Sequence, residues 1–301
     1  MFQILVCVAN LILSRGFSVI CGVFMKKILS VVFAIIALTC FIGCSKKNEN
    51  QKDNSVAELL SRGEFVLGLD DSFPPLGFRD ANNEIVGFDI DLAKEVAVRL
   101  GVSFRAQPID WASKEQELAT GKIDCIWNGL TITEERLKAL SFTKPYLNNA
   151  QVVVVKSDSG IKTLADLAGK TIGLQAGSSA ADAVESTKIE GSSAFGFADS
   201  LKSVVEFKEN ITALNDLEIG GVSGVVMDSI VANYAIQSTG KPFVVLEEGL
   251  APEAYGIAFR KTDVELTQKV QSILEEMAKD GTVAAISTKW FGSDISVIGK
   301  N

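Results

Sequence analysis

At 301 residues, 47% of them apolar, and with a formal net charge of −8, the chain has the composition of an ordinary globular protein of one large or two modest domains. The acidic balance excludes a nucleic-acid partner held by phosphate neutralisation, which needs a basic surface. The absence of histidine excludes His-dependent triad hydrolysis and imidazole metal sites, and neither a metal nor a cofactor is expected.

Residues 1–24 form a hydrophobic stretch ahead of a better start at Met25, and we read them as an over-long start. Met25, Lys26 and Lys27 make a positive n-region, Ile28–Ile42 an apolar h-region, and Gly43 a small residue before Cys44. This pattern resembles a bacterial lipoprotein signal, and the resemblance implies a signal peptide at 25–43 and an acylated, palmitate-bearing Cys44 that would anchor the chain to a lipid bilayer. Phe41 departs from the aliphatic residue usual there. The apolar run is shorter than the roughly 20 residues that span a membrane. Residues 44–55 are polar enough for a flexible tether, which places the folded part outside the cytoplasm. Cys7, Cys21 and Cys40 share this N-terminal region and only Cys125 lies in the body, so no intramolecular disulfide is expected.

From residue 64 short β-rich runs alternate with amphipathic segments, the α/β signature. EFVLGLD (64–70) reads as a strand ending in acid. DLAKEVAVRLG (91–101) reads as a helix with Leu92, Val96 and Leu100 on one face, Asp91 as N-cap and Gly101 as its stop. A short helix, 113–121, leads into the strand KIDCIWN (122–128), in which Cys125 reads as a buried small hydrophobe. TEERLKAL (133–140) opens a helix with Thr133 as N-cap, Glu134 and Glu135 in its first turn, and Leu137 and Leu140 as apolar points. Strands follow at 151–156 and 170–175, the second leading through AGSSA into a helix. ITALNDLEIGG (211–221) is a helix, GVVMDSIVANYAI a strand then a helix, YGIAFRK (255–261) a strand, and two helices close the chain. GKIDCIWN and GVSGVVMD echo one another, each a strand ending in a polar residue, Asn128 or Asp228. The echo suggests two α/β lobes presenting polar groups at strand carboxyl ends, where ligands bind in open sheets.

Arg136 sits where a capping box would place Glu or Gln, at a helix end that disfavours cations. Its guanidinium could clamp a carboxylate, with the N–H groups of the preceding NGLT turn sharing the anion, or it could pair with a nearby Glu on the surface. Asp228 could cap the helix that follows it. Gly177, Ser178 and Ser179 form a turn at a helix N-terminus that suits an anion or simple capping. Phe73 and Trp111 could stack on a small molecule or belong to the core. Asp70 could meet a polar side chain or cap its own loop, and Asp89 and Asp91 read as structural.

FPPLGFRDANNEIVGFDIDLAKEVAVRLG, GKIDCIWNGLTITEERLKALSFTKPYL, LQAGSSA and GVVMDSIVA occur in order, and through them 56–301 resembles family 3 of the bacterial extracellular solute-binding proteins. The resemblance implies a two-lobed type II periplasmic-binding-protein fold joined by two crossover strands, with lobe 1 at 56–148 and 250–301 and lobe 2 at 149–249. It implies a receptor that takes a polar L-amino acid between the lobes and delivers it to a membrane ABC permease. The α-carboxylate would lie on Arg136, the Thr131 N–H and Ser178 or Ser179. The α-ammonium would meet Asp228 and the Gly129 carbonyl, with Asp70, Phe73, Trp111 and Asn128 facing the side chain. The alternatives are a cyclohexadienyl-dehydratase-like enzyme on the same fold, whose general acid here would have to be a carboxyl or Lys, and a sensory or adhesin lipoprotein.

Overall fold

The computed structural model describes residues 53–192 and 194–300; the leader and Cys44 lie outside the described residues. The first half runs α1 (Ser55–Arg62), β1 (Glu64–Leu69), a three-stranded antiparallel patch of β2 (Ser72–Phe73), β3 (Gly77–Arg79) and β4 (Ile85–Val86), then α2 (Phe88–Leu100) and β5 (Ser103–Pro108). A 3₁₀ turn at Trp111–Ser113 precedes α3 (Lys114–Ala119), β6 (Cys125–Ile126), α4 (Glu134–Ala139) and β7 (Leu140–Phe142). The second half holds β8 (Leu147–Lys156), β9 (Thr171–Gln175), α5 (Ala180–Ser186), α6 (Phe197–Ser200), β10 (Ser203–Phe207), α7 (Asn210–Ile219), β11 (Gly224–Asp228), α8 (Ser229–Thr239) and β12 (Phe243–Val245). The chain then returns through β13 (Ala251–Tyr255) and β14 (Ala258–Arg260) to α9 (Val264–Lys279) and α10 (Thr282–Phe291).

These elements make two mixed sheets, ordered β5-β1-β6-β14-β7 and β10-β9-β11-β8-β12, the second with β13 also on β8. Among the parallel pairs β1–β5, β1–β6, β9–β10 and β9–β11, the inner strands β1, β9 and β11 are buried on both faces, which is why they read as apolar runs, while the edge strands β5 and β10 stay partly exposed. In β8, Val152 and Val154 enter one core cluster while Val153 and Val155 enter another. In β11, Val225 and Met227 face the first and Val226 the second. This period-2 division places one core on each side of the second sheet.

The two sheets are joined by a continuous antiparallel ladder. Leu147–Gln151 pairs with Ala251–Tyr255, and Tyr146 N–H and Thr143 N–H extend it toward β14 by donating to the carbonyls of Tyr255 and Ile257. These are the two crossover strands of the two-lobed type II architecture. The closing helices pack back on α1, α2 and β14.

Several local expectations shift. The strand expected at 122–128 shrinks to Cys125–Ile126, because Asp124 turns inward to accept from Val66 N–H and Arg62. The helix expected from Asp91 begins at Phe88, with Gly87 as N-cap at φ 144°, where an added Cβ would strike the Leu76 carbonyl. Asp91 therefore lies inside the helix and accepts from Lys289 Nζ (2.6 Å) and Trp290 Nε1 (2.8 Å), pinning α10 to α2. Thr133 does cap α4, accepting from Arg136 N–H, but that helix stops at Ala139 and Leu137 is exposed. Cys125 is a buried free cysteine, as its apolar neighbours imply.

Candidate functional site

Four strand ends converge on one cavity. Asp70 follows β1, Asn128 lies just past β6, Gln175 ends β9 and Asp228 ends β11. With Phe73, Trp111, Gly129, Thr131, Arg136, Ser178 and Ser179 they line one small cavity. The structure thus brings all ten sequence-predicted residues to one place and adds Gln175. The missed residue carried the signal that pointed to Asn128 and Asp228, a polar side chain ending a buried apolar strand.

On one side of the cavity the groups suit an anion. Arg136 Nη1 donates to the Thr131 carbonyl at 2.9 Å and Nη2 to the Gly177 carbonyl at 3.4 Å, while no carboxylate among the described residues pairs with it. The surface Glu–Arg pair is therefore not what the structure holds. Among the described residues no backbone acceptor takes the N–H of Thr131 or Ser179. Ser179 occupies the N-cap position of α5 without a side-chain cap bond, and its Oγ lies 3.0 Å from Thr131 Oγ1. Ser178 Oγ turns back to the Gln175 carbonyl at 2.7 Å.

On the other side the groups suit a cation. Asp228, 5% exposed, stands at the N-cap position of α8 yet makes no cap bond. Its Oδ1 instead accepts from Asn149 Nδ2 at 2.8 Å and from the Tyr255 hydroxyl. Burial, and then the nearby charge of Glu253, push its carboxyl up to about 7. Gly129 adopts φ 61° and an added Cβ would meet Phe73 and Leu76. Its N–H is bonded by Asp89 Oδ2 (3.0 Å) and Tyr146 (3.1 Å). Asp89 is fully buried, and desolvation raises it to about 7 as well. The structural role expected of Asp89 is thus to hold the turn that carries Gly129 and Thr131.

The distal wall is formed by Asp70, Phe73, Trp111 and Asn128, all buried. Asp70 does cap its own loop, accepting from Ser72 N–H and Oγ, but its second oxygen accepts from Gln175 Nε2 at 2.6 Å. Asn128 Oδ1 accepts from Asp70 N–H while its Nδ2 is buried without an acceptor among the described residues. The Asp70–Gln175 and Thr131–Ser179 contacts join the two sheets across the cavity. Lys114, 2% exposed, adds a further link: Nζ donates to the Gly177 carbonyl at 2.7 Å and lies over the Trp111 ring. Burial pulls its ammonium below the ordinary lysine range. Gly177, at φ 70°, touches Ala112 so closely that a Cβ would come within 2.9 Å of its Cα. The cleft is closed.

Residues 65–293 match the family model described as bacterial extracellular solute-binding proteins, family 3. The chain belongs to this family. The L-cystine-binding protein TcyJ of Escherichia coli K12 is 29% identical over 88% of this chain and 96% of its own. Among solved structures, Tv2483 bound to L-arginine superposes with a TM-score of 0.76 at 33% identity, covering 83% of this chain and 99% of that one. A substrate-binding protein of an ABC uptake transporter from Streptococcus pneumoniae, with bound histidine, gives 0.76 at 36% identity, covering 82% and 99%. For a family 3 solute-binding protein, a closed cavity at the strand carboxyl ends of both lobes is where a solute belongs. Among the described residues no helix is long and apolar enough to cross a membrane.

Proposed function

We propose that the cavity is the amino-acid site of an extracytoplasmic receptor that serves an ABC importer. One observation carries the reading. A guanidinium and a buried carboxylate, neither with an oppositely charged partner among the described residues, face the same closed cavity. The α-carboxylate and α-ammonium of a zwitterion complement them together. The carboxylate would lie on Arg136 and the N–H groups of Thr131 and Ser179, with Ser178 behind them. The ammonium would lie on Asp228 and the Gly129 carbonyl. The side chain would run between Phe73 and Trp111 toward Asp70, Asn128 and Gln175. A buried carboxylate at the far end favours a polar or cationic side chain, and L-arginine is the first ligand to test.

The closed form is selective because each charge would otherwise be desolvated and unpaired, at several kcal/mol. The receptor binds without chemistry and hands its cargo to a membrane permease, and acylated Cys44 tethers it to the bilayer. Residues 56–148 with 250–301 form one lobe and 149–249 the other. A thermal-shift screen of the common L-amino acids tests the assignment: a ligand at 100 times its Kd adds about 2.7 kcal/mol. A flat profile across all of them would sink it. Incubation with prephenate or arogenate should yield no product; turnover would favour the dehydratase-like alternative.

A further inference from the structure

The second crossover strand carries a carboxylate with no part in the site as assigned so far. Glu253 on β13 directs Oε2 at three donors: Thr131 Oγ1 (3.1 Å), Asn149 Nδ2 (3.0 Å) and Gln151 Nε2 (3.0 Å). The same Asn149 nitrogen donates to Asp228 Oδ1 at 2.8 Å. Two carboxylates therefore share one amide nitrogen, and Asn149, Gln151 and Glu253 all lie on the crossover strands that join the lobes.

The hydroxyls around them are oriented by this arrangement. Gln151 Nε2 also reaches Ser179 Oγ at 3.3 Å, and Ser179 Oγ is 3.0 Å from Thr131 Oγ1. With Thr131 donating to Glu253, Ser179 donates to Thr131, so one hydroxyl from each lobe is aligned on a single carboxylate. The cluster is also short of protons. Gln151 Oε1 is buried and accepts nothing among the described residues, and Gln151 is the register partner of Asp228. Two acids and an idle amide oxygen leave acceptors in excess of donors.

We propose that Glu253 is a positioning residue for amino-group recognition. With Asp228 it forms an acid pair that keeps one proton while the cavity is empty and exchanges it for the ligand's ammonium. The inference rests on the assignment of the cavity as an amino-acid site. Two carboxylates that share one amide donor, Asp228 buried and Glu253 half-buried, do not both ionise readily, and burial together with the Glu253 charge raises Asp228 toward 7. The other groups facing the pair do not neutralise it. Tyr255 donates to Asp228, the Asp89–Tyr146 pair lies behind Gly129, and Asp70 lines the cavity. Asp182 lies with Glu253 on the outer side, and the first turn of α8 carries no charged residue. Arg136 is the one cation of the cavity wall, and its bonds go to carbonyls.

Carboxyl-carbon NMR of the ligand-free protein tests this, with Asp228→Asn assigning the signal. Asp228 should titrate near 7, and Glu253→Gln, which keeps size and an acceptor, should lower that midpoint by about one to two units. A midpoint in the ordinary range near 4, or one that Glu253→Gln leaves unmoved, overturns the inference. Calorimetry with L-arginine at pH 7 in two buffers of different ionisation enthalpy should show a fractional proton released on binding, and less in Glu253→Gln. Binding with no proton released refutes the pair while leaving the receptor assignment intact. Failure of L-arginine to bind bears on the ligand alone, since the ligand-free titration decides the pair by itself.

Discussion

Arg136→Ala separates a binding residue from a structural one. In this structure the side chain contributes one good hydrogen bond to the Thr131 carbonyl and one long one to Gly177. A bond from a charged donor is worth about 1.5–3 kcal/mol when buried, and this one is part-exposed, so the apo protein should lose about 2 kcal/mol or less. With an amino acid bound, the same guanidinium faces a desolvated carboxylate. Removing one partner of a buried pair costs roughly 3–5 kcal/mol, equivalent to a 10²- to 10³-fold or greater loss of affinity. Calorimetric titration of the ligand found by the screen measures the second quantity, and urea unfolding without ligand measures the first. The reasoning fails if affinity falls less than tenfold, or if apo stability falls by as much as binding energy.

Other predictions follow the same geometry. Gly177→Ala places a Cβ 2.9 Å from Ala112 Cα at a positive φ, so the closed form should lose about 1–2 kcal/mol from backbone strain alone. Scattering should then show a more open molecule and weaker binding, with each lobe's melting little changed. Asp228→Asn should abolish amino-acid binding yet stabilise the empty protein at pH 8. The free side chain ionises near 3.8 while the folded one keeps its proton to about 7. Its contribution is therefore fully present below about pH 4 and lost as pH rises toward 7. A three-unit rise corresponds to an effect on the order of 2–4 kcal/mol, and Asp89 shares the window, so the variant should flatten only part of the decline in melting temperature between those pH values. Cys44→Ala should release the protein from membranes on fractionation; unchanged association would refute acylation at that residue.

The site was legible in the sequence to an unusual degree, for a reason visible in particular residues. Asn128 and Asp228 each close an apolar stretch in a polar side chain, as the missed Gln175 also does, and parallel strands of an α/β lobe all deliver their carboxyl ends to one edge. Arg136 stands out because helix electrostatics give it no local reason to be there. Short, paired strands were harder. The two-residue β2, β4 and β6 carry too little periodicity to show, and their pairing comes from partners distant in sequence.

The sequence by itself determined the α/β class and the strand-end polar residues, because periodicity, strand ends and caps are local properties, and the family blocks it carries pointed to the remaining residues that line the cavity. It could not decide what those residues do to each other. Asp91 looks like an N-cap until α10 arrives to take its carboxylate, and Asp228 looks like one until Asn149 and Tyr255 do the same. Glu253 gives no signal at all from its neighbours in the chain. Only the pairing of β8 with β13, residues about a hundred positions apart, sets it beside Asp228 and Thr131. Charges become coupled when folding excludes water from between them, and that distance is set by the tertiary structure alone.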